Sequence, residues 1–109
     1  MNLTLIEIAR LAEGELSANS NPNLTITQVA IDSRLVKIGD LFVAIKGDND
    51  DGHHYVEGLF NNLKDNLAAI VSDKLLFNSY PNLIYVEDTT KAVSLVALDF
   101  INSLKRKKK

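Results

Sequence analysis

Short continuous apolar runs alternate with amphipathic helical patterns along this chain, and this alternation restricts its possible folds more than any other feature. Residues 41–45, 67–71 and 83–86 are uninterrupted apolar runs with polar or turn-forming residues on either side. Runs of this kind are typical of strands that are covered on both faces. Because helical patterns precede, separate and follow them, the sequence predicts an α/β fold in which helices cover a mostly parallel sheet.

Three helices are predicted from apolar residues at helical spacing. The first is expected over 4–14, because Thr4 and Glu7 have the spacing of a capping box and Gly14 suits the left-handed position that follows a helix. The second is expected over 56–63. The third begins at residue 88 or 89, and its apolar face carries Val93, Val96, Ala97, Phe100 and Leu104.

The remaining segments predict turns, loops and one irregular strand. Segment 24–31 is strand-like, but its apolar phase changes midway, as a bulge or a change of partner strand would cause. Residues 17–23 and 46–52 are polar loops, and 35–40 is a connection with a turn at Gly39. We expect one small domain over 1–104, with about four to five short strands flanked by the three helices.

Charge and composition exclude several classes of function. The net charge is −2, but five of the twelve basic residues lie in the tail 105–109. The rest of the chain therefore has seven basic and fourteen acidic residues. An acidic body argues against nucleic-acid binding, which needs a basic face. The tail is expected to be solvated and disordered. No membrane span and no secretion signal are predicted, and the absence of cysteine makes an intracellular location the default.

Common catalytic and metal motifs are missing from the sequence. No loop ends in Gly-Lys-Ser/Thr, so no ATP site is expected. The acidic loop at 48–51 does not fit a calcium-binding EF-hand, whose sixth and twelfth positions would here be His53 and Leu59. His53 and His54 are adjacent, which is not a metal-ligand spacing; they form either a polar surface pair or a ligand contact. Ser33 lacks a nucleophile elbow. No catalytic residue and no metal ligand are predicted.

Two polar loops follow predicted strands and are candidates for a binding site. Residues 32–34 (Asp-Ser-Arg) follow one strand, and residues 47–52 follow the next. Open α/β sheets bind ligands at the carboxyl ends of their strands. Arg34 could hold a phosphate or a carboxylate through its planar guanidinium, or it could form a structural ion pair with Asp32.

Three motifs in these loops closely resemble the N-terminal domain of the Mur ligases. They are Asp-Ser-Arg at 32–34, Gly-Asp-Leu-Phe-Val-Ala-Ile-Lys-Gly at 39–47 and Asp-Gly-His at 51–53. Residues 3–9 and 14–16 are most similar to the MurF subfamily, which adds D-alanyl-D-alanine, and MurE shares the middle motifs. The resemblance covers about residues 3–104 of the chain.

The resemblance implies the substrate-anchoring domain of a bacterial cytoplasmic ligase of peptidoglycan precursor synthesis. In that family the first domain binds the uridine-diphosphate (UDP) part of UDP-N-acetylmuramoyl-peptide, the central domain binds ATP with Mg²⁺, and a third domain binds the incoming amino acid or dipeptide. This sequence stops where the ATP loop is expected, so it would be inactive alone and hold no cofactor itself. Its partners would be that substrate and the two other domains.

The resemblance also implies a set of substrate-binding residues. They are Ile31, Ser33, Arg34, Gly47, Asp48, Asn49, Asp50 and His53. Ile31 and Ser33 match positions that touch the uridine nucleotide in MurE-like members, and 48–50 match a loop that closes over it. The roles of Arg34 and His53 would be partly structural.

The loop at 48–50 departs from the family pattern. It is acidic where the family has His-Gln or similar residues, and it would repel a diphosphate unless backbone amides face that group. Two alternatives therefore stay open: a stand-alone interaction module of the same fold that does not bind a nucleotide, and the corresponding domain of MurE.

Overall fold

The computed structural model describes residues 2–107, with side chains over residues 2–98. Its helices are α1 (Leu5–Leu11), α2 (Val56–Leu63), α3 (Lys74–Ser79) and α4 (Thr89–Lys107). Its strands are β1 (Leu3–Thr4), β2 (Glu15–Leu16), β3 (Thr25–Ile26), β4 (Gln28–Ala30), β5 (Asp40–Val43), β6 (Ala68–Val71) and β7 (Leu83–Tyr85).

Five strands form the main sheet in the order β2-β7-β6-β5-β4. The four strands from β4 to β7 are parallel, and β2 is antiparallel at the edge beside β7. The predicted α/β fold with a mostly parallel sheet is therefore confirmed. Since β4 and β5 are parallel neighbours, the loops that follow them emerge at the same edge of the sheet.

A change of partner explains the irregular strand at 24–31. β3 pairs with β1 in a separate two-stranded sheet, with Ile26 opposite Leu3, whereas β4 pairs with β5. Thr27 joins the two strands, and its amide donates to the Gly39 carbonyl at 2.8 Å. Gly39 has a φ of +95°, which agrees with the predicted turn at that residue.

The sheet is buried on both faces, and the alternation of side chains along β5 shows how. Leu41 and Val43 pack into the core formed with α1 and α4, whereas Phe42 packs on the opposite face with Val56 and Leu59 of α2. All three β5 side chains are fully buried. Burying an aliphatic or aromatic side chain contributes about 1.5–3 kcal/mol, so this strand is a main source of stability.

Helix α1 begins as predicted and ends differently. The capping box is present: the Thr4 amide donates to Glu7 Oε1 at 2.9 Å, and the Glu7 amide donates to Thr4 Oγ1 at 3.4 Å. The left-handed residue after the helix is Glu13, with a φ of 57°, so the prediction for Gly14 was wrong. Gly14 is required for another reason, because a Cβ there would lie 2.5 Å from Ile84 Cγ2.

The sequence missed α3, a helix of six residues that is capped by Asp73, whose side chain accepts from the Leu76 amide at 3.1 Å. It is too short to show helical periodicity. α4 is described through Lys107, and residues 108–109 lie outside the described part of the chain, so the disordered tail stays a prediction. The side chains of Phe100 and Leu104 also lie outside it. No helix within the described residues is long and apolar enough to cross a membrane.

Candidate functional site

Two loops at the carboxyl ends of β4 and β5 face each other. In the first, Asp32 caps a 3-10 turn over Ser33–Leu35 by accepting from the Arg34 amide at 3.0 Å. In the second, a β-bridge joins Lys46 to Asp51, and the Gly47 amide donates to the Asp50 carbonyl at 2.7 Å. Both loops therefore have defined local structures.

A cavity of about 680 Å³ lies between the two loops. It is lined by Ile31, Asp32, Ser33, Arg34, Ile45, Gly47, Asn49, Asp50, Gly52 and Tyr55. Six of the eight residues implied by the resemblance are among them, and the structure thus brings together segments that are separate in the sequence. Asp48 and His53 do not line the cavity.

Arg34 forms an ion pair with Asp32. Its Nε and its Nη2 donate to the two carboxylate oxygens of Asp32 at 3.0 and 2.8 Å, while 84% of its side chain is exposed. Hydrogen bonds from the Arg34 side chain and amide lower the pKa of Asp32 from 3.8 to about 2. The same pairing raises the pKa of Arg34. Of the two roles considered for Arg34, the structural ion pair is the one present; a contact with ligand stays a prediction.

Tyr55 is a cavity residue that the sequence reasoning missed. Its hydroxyl donates to both carboxylate oxygens of Asp50, at 3.0 and 2.8 Å. The Asp51 amide also donates to Asp50 Oδ1, at 2.9 Å. The hydrogen bond to Asp50 and the charge of that carboxylate raise the pKa of Tyr55. The only sequence signal was an aromatic residue close after an acidic loop.

His53 points into the protein, away from the cavity. Only 9% of its side chain is exposed, so the expectation of a polar surface pair was wrong for His53, although His54 is exposed. The Ser72 amide, at the end of β6, donates to His53 Nε2 at 2.9 Å. Because an amide can only donate, Nε2 is the acceptor and Nδ1 carries the proton, which it donates to Asp51 Oδ1 at 2.7 Å.

Asp51 and Gly52 complete this inward-facing anchor of the second loop. Burial raises the pKa of Asp51, but hydrogen bonds from the His53 amide and ring outweigh that effect and lower it overall. A Cβ at Gly52 would lie 2.9 Å from the Ile45 amide nitrogen. The Asp-Gly-His motif therefore fixes the second loop to the sheet, which leaves Gly47, Asn49 and Asp50 at the cavity.

A second cleft, of about 700 Å³, lies beside the start of α4. Its polar lining includes Glu13, Glu15, Glu87, Asp88 and Lys91. None of the predicted site residues borders it. Size alone does not separate the two clefts, so the choice of the cavity between the loops rests on the residues that line it.

The residues present do not fit ATP with Mg²⁺. The sequence has no Gly-Lys-Ser/Thr loop, and the described residues contain no cluster of three or more histidine or acidic side chains that could hold a metal ion. His53 is turned inward, so its ring does not face the cavity. The arrangement offers hydrogen bonds and apolar contacts to a ligand, which suits binding.

A family model described as "Mur ligase family, catalytic domain" matches residues 25–74, a segment that contains both loops. A UDP-N-acetylmuramoyl-L-alanyl-D-glutamate--2,6-diaminopimelate ligase of Caldanaerobacter subterraneus is 34% identical over 103 residues, which cover 93% of this chain and 20% of that protein. A UDP-N-acetylmuramoyl-tripeptide--D-alanyl-D-alanine ligase of Bacillus subtilis is 31% identical over 103 residues, which cover 93% of this chain and 22% of that protein.

The fold matches solved structures of the same kind. The crystal structure of MurF from Acinetobacter baumannii has a TM-score of 0.73 with 24% identity, and the match covers 87% of this chain and 20% of that one. The chain thus spans about a fifth of the length of its relatives, which include both diaminopimelate-adding and D-alanyl-D-alanine-adding ligases. On sequence and fold together, the chain belongs to the Mur ligase family and corresponds to the N-terminal domain of its MurE- and MurF-type members.

Proposed function

We propose that this domain anchors the UDP part of UDP-N-acetylmuramoyl-peptide for a MurF-like, ATP-dependent amide ligase of peptidoglycan precursor synthesis in the bacterial cytoplasm. The single observation that carries the proposal is the cavity between the two loops, where six of the eight implied substrate-binding residues meet. Its volume of about 680 Å³ lies in the range of small-molecule sites, about 300–1,000 Å³.

The cavity has the chemistry that a nucleotide anchor needs. Ile31 and Ile45 supply apolar contact for a base, and Ser33 supplies a hydroxyl. An anchor needs no nucleophile, since binding energy from a remote part of a substrate serves to position its reacting end. In the proposed ligase, the reacting carboxylate would be activated on the domains that bind ATP and the incoming amine.

A chemical-shift titration of the isotope-labelled protein tests the proposal. The ligands are UDP-N-acetylmuramoyl-tripeptide, UDP and ATP. We expect saturable shifts clustered at 31–34 and 47–52 with both uridine ligands and none with ATP. Absence of shifts at millimolar concentrations of either uridine ligand would contradict the proposal.

Two serine-to-alanine variants, one in the cavity and one on α4, serve as the test and its control. Ser33→Ala removes the hydroxyl in the cavity and is expected to weaken binding about three- to tenfold, the usual effect of one lost hydrogen bond. Ser94→Ala removes the hydroxyl that donates to the Thr90 carbonyl on α4, far along the chain from either loop, and is expected to leave binding unchanged. Equal losses in both variants would place the binding outside the cavity.

The choice between MurF-like and MurE-like function needs a second experiment, because relatives of both kinds are similar to the chain. This domain can replace the corresponding part of the Bacillus subtilis D-alanyl-D-alanine ligase or of a diaminopimelate ligase. We expect the first chimera to be the more active, measured as amide formation with D-alanyl-D-alanine or with diaminopimelate. The reverse result would assign the domain to the MurE type.

Exposed apolar residues beside the cavity favour a second candidate, an interaction module without nucleotide binding. Leu35 and Ile38 are 65% and 67% exposed on the connection that follows β4, and Ile31 is 55% exposed. A surface of this kind suits a protein partner. The interaction module would replace nucleotide binding as the proposed function if the uridine ligands caused no chemical shifts while the protein remained folded.

A further inference from the structure

Ser72, His53 and Asp51 form a chain of hydrogen bonds that joins the second loop to the end of β6. The Ser72 amide donates to His53 Nε2 at 2.9 Å, and His53 Nδ1 donates to Asp51 Oδ1 at 2.7 Å. The Ser72 hydroxyl lies 3.3 Å from the same Nε2 atom. The contact between His53 and Ser72 spans nineteen positions of sequence, so it ties the loop that follows β5 to the neighbouring strand.

This order of groups resembles that of a Ser-His-Asp catalytic triad, but the geometry does not allow the same chemistry. The general base of a triad needs a free lone pair on Nε2, and here the Ser72 amide donates to that nitrogen. The ring is also turned away from the cavity, with 9% of the side chain exposed. His53 therefore serves as an acceptor that holds the loop in place, and not as a base.

The position of His53 links this anchor to the cavity. His53 directly follows Gly52, which lines the cavity, and the Asp51 amide donates to the carboxylate of Asp50, which lines it too. The β-bridge also joins Asp51 to Lys46 at the start of the loop. A movement of the His53 ring away from β6 would therefore displace residues that line the cavity.

The contact with Ser72 requires an uncharged ring. Histidine is the side chain that ordinarily changes charge between about pH 5 and 8. A proton added to His53 would go onto Nε2, because Nδ1 already carries one, and the Ser72 amide would then face another donor. The Ser72 hydroxyl could accept from the charged ring, but the amide would lose its partner. The bond to Asp51 would remain, since a carboxylate attracts the charged ring.

Charged groups lie on both sides of this contact. On the loop, Asp51 pairs with the ring, and the exposed His54 is the next residue. At the end of β6, Asp73 follows Ser72, and its carboxylate accepts from the Leu76 amide at 3.1 Å as the cap of α3. Burial raises the pKa of Asp51, but the hydrogen bonds from His53 outweigh this effect and lower it overall. Asp51 therefore keeps its charge over the pH range in which histidine titrates.

From this geometry we propose that His53 is a positioning residue for the ligand, and that protonation of its ring releases the second loop from β6. The neutral ring holds Gly47, Asn49 and Asp50 at the cavity, and the charged ring stays with Asp51 but leaves the Ser72 amide. Ligand binding is then stronger when the ring is neutral than when it is charged. The effect on the ligand rests on the proposed function, whereas the release of the loop can be measured without any ligand.

NMR of the unmodified protein without ligand tests the release of the loop. The ¹⁵N shifts of the His53 ring report which nitrogen carries a proton, and hydrogen exchange reports the protection of the Ser72 amide. We expect a proton on Nδ1 alone at about pH 8 and on both nitrogens at about pH 5. Over the same range, the protection of Ser72 should fall about three- to tenfold relative to that of Ile70 in the middle of β6. A ring that stays neutral, or Ser72 protection that does not follow the ring, would overturn the inference.

His53→Gln and His53→Asn separate the roles of the two ring nitrogens. Glutamine places an oxygen near the position of Nε2 and does not titrate, so its affinity for ligand should stay within about twofold of the unmodified protein and should not fall at acid pH. Asparagine keeps an N–H for Asp51 but does not extend to Ser72, so its affinity should be about three- to tenfold lower throughout. His54→Gln is the matched control: it removes the exposed neighbouring histidine and should keep the full pH dependence.

The ligand for these titrations is UDP-N-acetylmuramoyl-tripeptide. Both of its phosphates are esterified, whereas a terminal phosphate such as that of UDP would itself titrate near about pH 6. We expect its affinity for the unmodified protein to fall about three- to tenfold from about pH 8 to about pH 5. An affinity that does not change with pH, or a pH dependence that persists in His53→Gln, would overturn the positioning role. Absence of binding at both pH values would instead contradict the proposed function, and the exchange measurement would still decide whether the loop is released.

Discussion

The chain has two polar loops at opposite edges of its sheet, one uncharged (17–23) and one mostly charged (46–51), and they are held in different ways. Residues 17–23 are tied to β7 and the residue before it by side-chain bonds that span more than 60 positions of sequence. Residues 46–51 are held by contacts within the loop, to Tyr55, and from Asp51 to His53, whose ring accepts from the Ser72 amide. In residues 17–23 the hydroxyls of Ser17 and Ser20 are turned inward, whereas Asn49 and Asp50 of the other loop line a cavity.

Asn82 is the centre of the hydrogen-bond network that holds residues 17–23. It is 2% exposed, and its side chain accepts from the Asn21 amide at 2.7 Å and donates to the Asp65 carbonyl at 2.8 Å. Its own amide donates to Ser20 Oγ. The comparison teaches that a polar loop with its groups satisfied by distant partners is part of the fold, whereas one with exposed acceptors is available to a ligand. Four measurements test this difference.

The largest effect is expected for Asn82→Ala. The change leaves two partly buried backbone groups without a partner and places alanine at a φ of 63°, so we expect a loss of about 2–4 kcal/mol in the free energy of unfolding. Asn82→Gly keeps the backbone conformation accessible and should lose less. Urea unfolding measures both. Asn49→Ala, in the exposed loop, is the control and should change stability by less than about 0.5 kcal/mol. Similar losses at Asn82 and Asn49 would remove the distinction between the loops.

Gly52→Ala tests the point at which the loop after β5 is held against the backbone of residues 44 and 45. A Cβ at Gly52 would lie 2.9 Å from the Ile45 nitrogen and 3.0 Å from Ala44 Cα, both backbone atoms that cannot move easily. We expect the free energy of unfolding, measured by thermal unfolding, to fall by about 1–3 kcal/mol. Gly58→Ala is the matched control on α2, since a Cβ there meets nothing within 4 Å; it should stabilise the helix by up to about 1 kcal/mol. Destabilisation by both substitutions to the same extent would contradict the close approach at Gly52.

Ser17→Ala and Ser33→Ala sharpen the comparison, because each removes one hydroxyl from one region. The buried Ser17 hydroxyl accepts from the Leu83 amide at 3.0 Å, so its loss should cost about 1–2 kcal/mol of stability. It should leave uridine binding unchanged. Ser33→Ala should do the opposite, weakening binding while changing stability by less than about 0.5 kcal/mol. If Ser33→Ala lowered stability as much as Ser17→Ala, the loop that follows β4 would also be a structural part of the fold.

The smallest effect is expected from acid titration of the Asp32–Arg34 pair. The folded pKa of Asp32 is about 2, below its ordinary value of 3.8, so the pair stabilises the protein above pH 3.8 and this contribution disappears as the pH falls through about 2. The carboxyl ¹³C shift of Asp32 measures the pKa directly. Arg34→Ala removes the side-chain hydrogen bonds and should raise the pKa of Asp32 toward 3.8, while the amide of residue 34 still lowers it; Lys37→Ala is the control that should not change it. An ordinary Asp32 pKa in the unmodified protein would show that the ion pair does not persist in solution.

Local patterns were sufficient for much of the fold. The apolar runs at 41–45, 67–71 and 83–86 all form buried strands, and the Thr4–Glu7 capping box starts α1, because these signals depend on neighbours within a few residues. The helix at 74–79 gave no comparable signal, as it is only six residues long. The phase change at 24–31 marked a real irregularity, but two explanations remained until the pairing of β3 and β4 was known.

The sequence by itself determined the α/β layering and which loops could form a site, since strand direction follows from the order of helices and strands. Only the tertiary structure decided what each polar group in those loops does. His53 is bound to Ser72, nineteen positions away, and Gly14 is required by Ile84, seventy positions away. Such contacts depend on how the strands pack in space, and no local pattern of residues specifies them. The hydrogen bond from Tyr55 to Asp50 spans only five positions, but it depends on the 3-10 turn Gly52–Tyr55 and became visible only in the fold.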